Sequence, residues 1–148
     1  MRLKLMLNIL SNMADVGSHN GEENWFYSDT VQDHFFNPRN LAAEDPTSFD
    51  AMGEVGSPAC GDKMKVWIKV DSETDTITDF KWRTFGCASA IASTSVASEM
   101  IIGKTLEEAQ KVTPREIVEA LGGLPPRKIH CSVLADQALR AAIKNYQK

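Results

Sequence analysis

Cysteine is scarce in this chain, with three residues in 148, and no two of them form a CxxC pair. The odd count excludes a closed disulfide framework, so at least one thiol is free or ligating. A zinc ribbon, which normally carries two CxxC pairs, is disfavoured by the same absence. Few, unpaired cysteines belong in a reducing compartment, and the expected location is the cytoplasm. Long apolar runs are missing too. The stretch at 3–10 is too short to span a bilayer, and Asn8 interrupts it where a secretory leader needs an unbroken apolar segment. No membrane association is expected. Repeats and low-complexity segments are also lacking. Positive charge is thin: the net charge is −4, and the basic cluster at the C-terminal end is only Arg127, Lys128, Arg140, Lys144 and Lys148 against Asp136. That can steer an acidic protein partner, but it falls short of a nucleic-acid footprint.

What is present is ordinary for a globular domain, 43% hydrophobic and 24% charged. Residues 25–148 read as one domain, preceded by a disordered extension at 1–24 in which Met13 is an alternative start. Ser28 is a good N-cap, and Tyr27, Val31 and Phe35 recur every four residues, which predicts a helix ending before Asn37-Pro38. Met64, Val66, Ile68 and Val70 alternate with Lys63, Lys65, Trp67 and Lys69, the period of a strand with one buried face. Turn residues 71–75 return it as a second strand at 76–85, with a bulge between Ile77 and Phe80. A short strand within 53–60 makes a third. The connections are too short for parallel crossovers, so the sheet is antiparallel.

From Cys87 the period becomes helical. The run to Ile102 is rich in small residues, which permit close approach of another backbone, and Gly103 ends it. Thr105-Leu106-Glu107-Glu108 and Thr113-Pro114-Arg115-Glu116 each read as a capping box opening a short helix. Pro125-Pro126 predicts an extended, rigid segment, and Ser132 is placed to start a last helix running to about Gln147. Strands come first and helices after, so the fold class is α+β, a three-stranded antiparallel sheet with helices packed on one face.

The chemistry gathers at the cysteines. Cys60 precedes the first long strand in Cys60-Gly61-Asp62, where thiol and carboxylate two apart share a side of an extended chain. Cys87 follows the return strand, so a folded hairpin brings both to one end of the sheet. Cys131, beside His130, opens the last helix, where a helix N-terminus favours thiolate. Three thiolates with a carboxylate or imidazole form a soft, nearly tetrahedral set suited to zinc or an iron–sulfur cluster. Spacing alone leaves other roles open: His130 as a hydrogen-bonded structural residue, Asp62 as the acceptor of an Asx-turn. His34 reads as an ordinary surface or half-buried residue. The missing fourth thiolate is informative. Asp62 is a hard ligand and His130 a borderline one, so a cluster held this way should be labile, which suits a protein that passes it on.

Three segments carry a resemblance: Cys60-Gly61-Asp62, Phe85-Gly86-Cys87-Ala88-Ser89-Ala90, and Leu124-Pro125-Pro126-Arg127-Lys128-Ile129-His130-Cys131-Ser132. They are similar to the signatures of the IscU / NifU N-terminal family of iron–sulfur scaffold proteins. The resemblance implies that Cys60, Asp62, Cys87, His130 and Cys131 surround a transient [2Fe–2S] site, which also takes iron or, in isolated protein, zinc. It implies an assembly scaffold, not an enzyme, that accepts sulfur from a dimeric, IscS/NifS-like cysteine desulfurase. Iron donors, a ferredoxin and apo acceptor proteins follow as further partners. Leu124, Pro125, Pro126 and Lys128 resemble the segment bound by a specialised Hsp70-type chaperone, with Arg127 where that motif has valine. A zinc-dependent sulfur acceptor of the same fold, the SufU branch, is the alternative. That branch has an insertion before the third cysteine and no histidine beside it, so His130 and the compact 87–131 interval resemble the IscU branch. Full-length NifU continues into further domains, so a chain stopping at Lys148 reads as a stand-alone scaffold.

Overall fold

The computed structural model describes residues 28–57, 62–125 and 128–148, with backbone alone for Ser57, Asp62 and His130. Among these residues the elements run α1 (Asp29–Phe36), β1 (Ala51–Ser57), β2 (Asp62–Asp71), β3 (Thr76–Phe85), α2 (Ala88–Ile101), α3 (Leu106–Gln110), α4 (Pro114–Ala120) and α5 (His130–Gln147). The strands form one antiparallel sheet in the order β1-β2-β3. Met64, Val66 and Ile68 of β2 share its inner face with Phe80 and Trp82 of β3, all fully buried. The bulge falls where the alternation slips: Lys69 opposes Asp79 and Val70 opposes Ile77, which leaves Thr78 as the extra residue.

The outer face is less simple than its lysines suggest. Trp67 lies between Lys65 and Lys69 yet is only 6% exposed. The segment after α1 crosses this face. Asp45 pairs with Lys65 and Arg83, and Lys69 sits over the Phe49 ring. The stretch read as a plain loop therefore pairs with the charged residues of the outer face around Trp67.

α2 is the central helix, packed against α1, α4, α5 and β3. Its small side chains let those neighbours come close, and its hydroxyls bind them. Ser95 Oγ accepts the Arg39 N–H at 2.9 Å and contacts His34 Nδ1 at 2.8 Å, while Ser98 Oγ accepts from Asn40 Nδ2. α1 is capped by Ser28, whose Oγ accepts the Val31 N–H and donates to the Leu121 carbonyl beyond α4. α3 opens with a complete Thr105–Glu108 capping box, and Thr113 caps α4 through the Glu116 N–H. Gly103, at φ +94°, ends α2 in a backbone region that favours glycine.

Two expectations need correction. β1 begins at Ala51, earlier than the glycine-interrupted sequence suggests, because Gly53 is a point of backbone contact with α5. α5 begins at His130, and Ser132 is no cap: its Oγ donates back to the Ile129 carbonyl at 2.6 Å. The Pro125 carbonyl accepts the Lys128 N–H at 2.8 Å, while the second proline of the segment expected to be extended lies outside the described residues.

A Cβ at Gly53 would fall closer than 3.0 Å to the Ala138 carbonyl oxygen and the Ala142 nitrogen, both backbone atoms that have no rotamer to give. Gly53→Ala is therefore expected to destabilise the domain by about 2–3 kcal/mol or more, read by urea denaturation.

His34 is 6% exposed, buried where a half-exposed position was expected. Burial pushes its pKa down and the Arg39 charge adds to this, against the opposing pull of Glu99 and Asp33. A pKa below the unfolded value of about 6.5 means that the unfolded chain takes the extra proton. This contribution to stability is complete above about pH 6.5 and shrinks as pH falls below it. Denaturation midpoints should drop between about pH 7.5 and pH 5.5, and His34→Gln should make that drop shallower.

Candidate functional site

β3 leaves the sheet at Phe85, and Gly86 joins it to Cys87, the N-cap of α2. The register pairs Lys63 with Phe85 and Ser57 with Asp62, so the connection from β1 to β2 lies at the same end. α5 packs along both α2 and the β1–β2 part of the sheet, and Cys131 is its second residue. Two helix starts thus meet one sheet end. The Cys87 and Cys131 sulfurs are 3.3 Å apart, with Cys131 fully buried and Cys87 half-buried. Neither is in a disulfide. Their separation is well beyond the roughly 2.05 Å of a disulfide. It is slightly under the roughly 3.8 Å that two bonds of about 2.3 Å subtend at a tetrahedral metal. A small opening of the pair would therefore admit a shared metal.

The Cys87 thiol is pulled from 9.0 down to about 5. The hydrogen bond from Cys131 is the largest cause. Burial opposes it, and the Ala90 N–H, the Lys128 charge and the Ser89 N–H assist. Cys87 makes no side-chain capping bond of good geometry, yet these N–H groups face its sulfur at the positive end of α2. The thiolate-favouring helix start is realised at Cys87, where sequence reasoning had emphasised Cys131.

Of the five residues expected at the site, the structure brings together the side chains of Cys87 and Cys131. Asp62 is placed by its backbone as the first residue of β2 and His130 as the first of α5. Cys60 and the side chains of Asp62 and His130 lie outside the described residues, as do Pro126 and Arg127. Among the described residues no group of three or more His, Cys, Asp or Glu side chains is arranged to hold a metal ion. In the segment expected to bind a chaperone, Leu124 packs against the core. The charge of Lys128 helps to lower the pKa of Cys87, a role its sequence context did not signal. Phe85, 69% exposed, and Ile129, 44% exposed, flank the two cysteine positions in sequence. A cavity of about 200 Å³ opens on the outer face of the sheet among Asp45, Lys63, Lys65, Arg83 and Phe85. Its cations are already partnered by Asp45 and Glu54, and it contains neither described cysteine.

An α+β fold with two thiols at converging helix starts beside a sheet end defines a class of soft-metal or sulfur-handling domain. The chain belongs to the NifU-like N terminal domain family, whose model matches residues 26–148. It is 54% identical over 120 residues to the iron–sulfur cluster assembly scaffold protein IscU 1 of Archaeoglobus fulgidus, covering 81% of this chain and 76% of that protein. Over 123 residues it is 47% identical to the nitrogen fixation protein NifU of Azotobacter chroococcum mcd 1. That match covers 83% of this chain and 39% of that protein, so this chain spans well under half of that relative's length. The fold is shared with a scaffold protein for the SUF system from Fervidobacterium islandicum AW-1, at a TM-score of 0.64 and 24% identity over 79% of this chain and 96% of that one. Among the described residues no helix is long and apolar enough to cross a membrane.

Cys87 should be alkylated by iodoacetamide at a rate that is already near its plateau at neutral pH and falls to half near pH 5. Peptide-resolved mass spectrometry separates it from the other two thiols. Cys131→Ala removes the largest cause and should move the midpoint upward.

Proposed function

We propose that this chain is a scaffold on which a [2Fe–2S] cluster is assembled and from which it passes to acceptor proteins. It is a carrier and not an enzyme in the strict sense. The observation that carries this reading is the thiol pair, Cys87 and Cys131, 3.3 Å apart at two helix starts. Its support is family membership and relatives named as iron–sulfur assembly scaffolds. In this reading Cys60, Asp62 and His130 complete the ligand set. The connection from Ser57 to Asp62 is short, both its ends lie at the sheet end that Phe85 leaves, and α5 starts at His130. Sulfur comes from a dimeric cysteine desulfurase, iron and electrons from an iron donor and a ferredoxin, and an Hsp70-type chaperone engages 124–128. Zinc competes for the same donors. Residues 25–148 form the working domain, 1–24 an appended extension, and free thiols fit a reducing cytoplasm.

Anaerobic reconstitution with ferrous iron, cysteine and a cysteine desulfurase should give the visible and Mössbauer spectra of a [2Fe–2S] cluster that transfers to an apo-ferredoxin. Retention of stoichiometric zinc with sulfur accepted but no cluster formed would instead mark a zinc sulfur relay. Asp62 is the hard ligand of the set, so Asp62→Cys, which puts a fourth thiolate in its place, should lengthen the lifetime of the bound cluster. An unchanged decay rate would remove Asp62 from the coordination sphere.

A further inference from the structure

We propose that the outer-face patch of Lys63, Lys65, Arg83 and Phe85 is a docking site for an acidic acceptor protein, because three cations and an exposed aromatic ring line one cavity there. The patch is separate from the cysteine pair, and only the naming of its occupant as an acceptor rests on the proposed function. Register builds it. Lys63 opposes Phe85 and Lys65 opposes Arg83, and residues directly opposite on antiparallel strands share a face. Met64, Val66 and Trp82 take the inner face. The four therefore stand on the outer one, at the sheet end where β3 gives way to Gly86 and Cys87.

The cations outnumber their partners. Lys63 pairs with Glu54 at 2.9 Å and Arg83 with Asp45 at 3.0 Å, while Lys65 reaches Asp45 at 3.5 Å and Glu54 at 4.0 Å. In these pairs two carboxylates serve three cations, and all five side chains are partly exposed. Surface pairs of this kind are individually weak, so a partner's carboxylate exchanges with Asp45 at little cost. Asp45 is in this sense an internal stand-in for the partner's acid. The chain is acidic overall, at −4, and repels an acidic protein at long range. Approach is favoured where a local excess of cations meets the partner. Phe85, 69% exposed, supplies what charge does not, since aromatic side chains anchor the cores of protein interfaces. A partner seated on Phe85, with carboxylates on Lys63 and Arg83, lies two residues along the chain from Cys87.

The test titrates the full, isotope-labelled chain with an acidic apo-ferredoxin and follows the backbone amide shifts. The expected shifts centre on Lys63, Lys65, Arg83 and Phe85, and affinity falls steeply as salt rises from about 20 to 300 mM. Lys63→Glu should weaken binding about tenfold at low salt and slow cluster transfer to sub-saturating apo-ferredoxin by a similar factor. Phe85→Ala should weaken binding at every salt concentration. Asp45→Asn removes the competing carboxylate and should tighten binding about threefold, the opposite of what losing a structural ion pair would do. Unchanged or weaker binding by Asp45→Asn, in a chain whose spectrum stays native, overturns the proposal. Lys63→Glu binding as tightly as wild type overturns it as well, and that test stands if Asp45→Asn loosens the crossing segment. Shifts confined to the basic residues of α5 place the partner elsewhere and overturn it. So do patch shifts that arise on concentrating the chain alone, which assign the face to a second copy. A wild-type chain that binds apo-ferredoxin here yet forms no cluster from ferrous iron and sulfide overturns the proposed function and leaves the docking surface standing.

Discussion

The contact on which this structure depends is backbone against backbone: β1 at Gly53 against α5 at Ala138 and Ala142. Without a side chain between them, α5 settles onto the β1–β2 part of the sheet and alongside α2. A helix is a rigid rod, so where its middle is seated decides where its first turn lies. Seating α5 at Ala138 and Ala142 fixes the position of Cys131, about two turns earlier. Cys87 is fixed from the other direction, because β3 delivers it and α2 carries on from it. The sulfur pair thus arises where two independently anchored elements meet, with neither contributing more than one thiol.

The serines and alanines of α2 have a related part. A helix buried on several sides usually carries large apolar residues, whereas this one buries Ser89, Ser93, Thr94, Ser95 and Ser98. Small side chains shorten the distance to each neighbour. The hydroxyls of Ser95 and Ser98 then satisfy groups of the 39–40 segment that would otherwise be buried without partners. At Ser95 and Ser98 close packing and polar satisfaction are met by the same residues, whereas Ser93 Oγ is buried without a hydrogen-bond partner, and α1 with the crossing segment after it is held to the helix that begins at Cys87.

Much of this was legible in the sequence, for physical reasons. The β2–β3 hairpin could be read because one face is uniformly buried, and a single extra residue, Thr78, shifts the alternation visibly. The Ser28 and Thr105 caps could be read because capping depends on residues close in sequence. What could not be read depends on partners distant in the chain. Glycines obscure β1, since the reason for Gly53 is a helix about ninety residues later. Trp67 looked outward among lysines, yet it is buried, and the lysines on either side of it pair with Asp45 and Phe49, some twenty residues earlier in the chain. Ser132 looked like a cap, but the Ile129 carbonyl offered its hydroxyl a different bond. At the site, the three cysteines could be singled out as a set, but the low pKa of Cys87 arises from Cys131 and Lys128, more than forty residues away in sequence.

The sulfur–sulfur distance itself suggests why such a pair suits cargo better than a resident ion. At 3.3 Å the sulfurs are too far apart to be bonded and slightly too close to share a tetrahedral metal without opening. The hydrogen bond between them favours thiolate at Cys87, and in the proposed function it is given up when both sulfurs take up the cluster. In that reading, binding exchanges one favourable interaction for another, and release restores the first. Two helix starts also present N–H groups and partial positive charge to whatever anionic assembly the thiolates hold. These groups belong to the frame and stay in place when the cargo leaves.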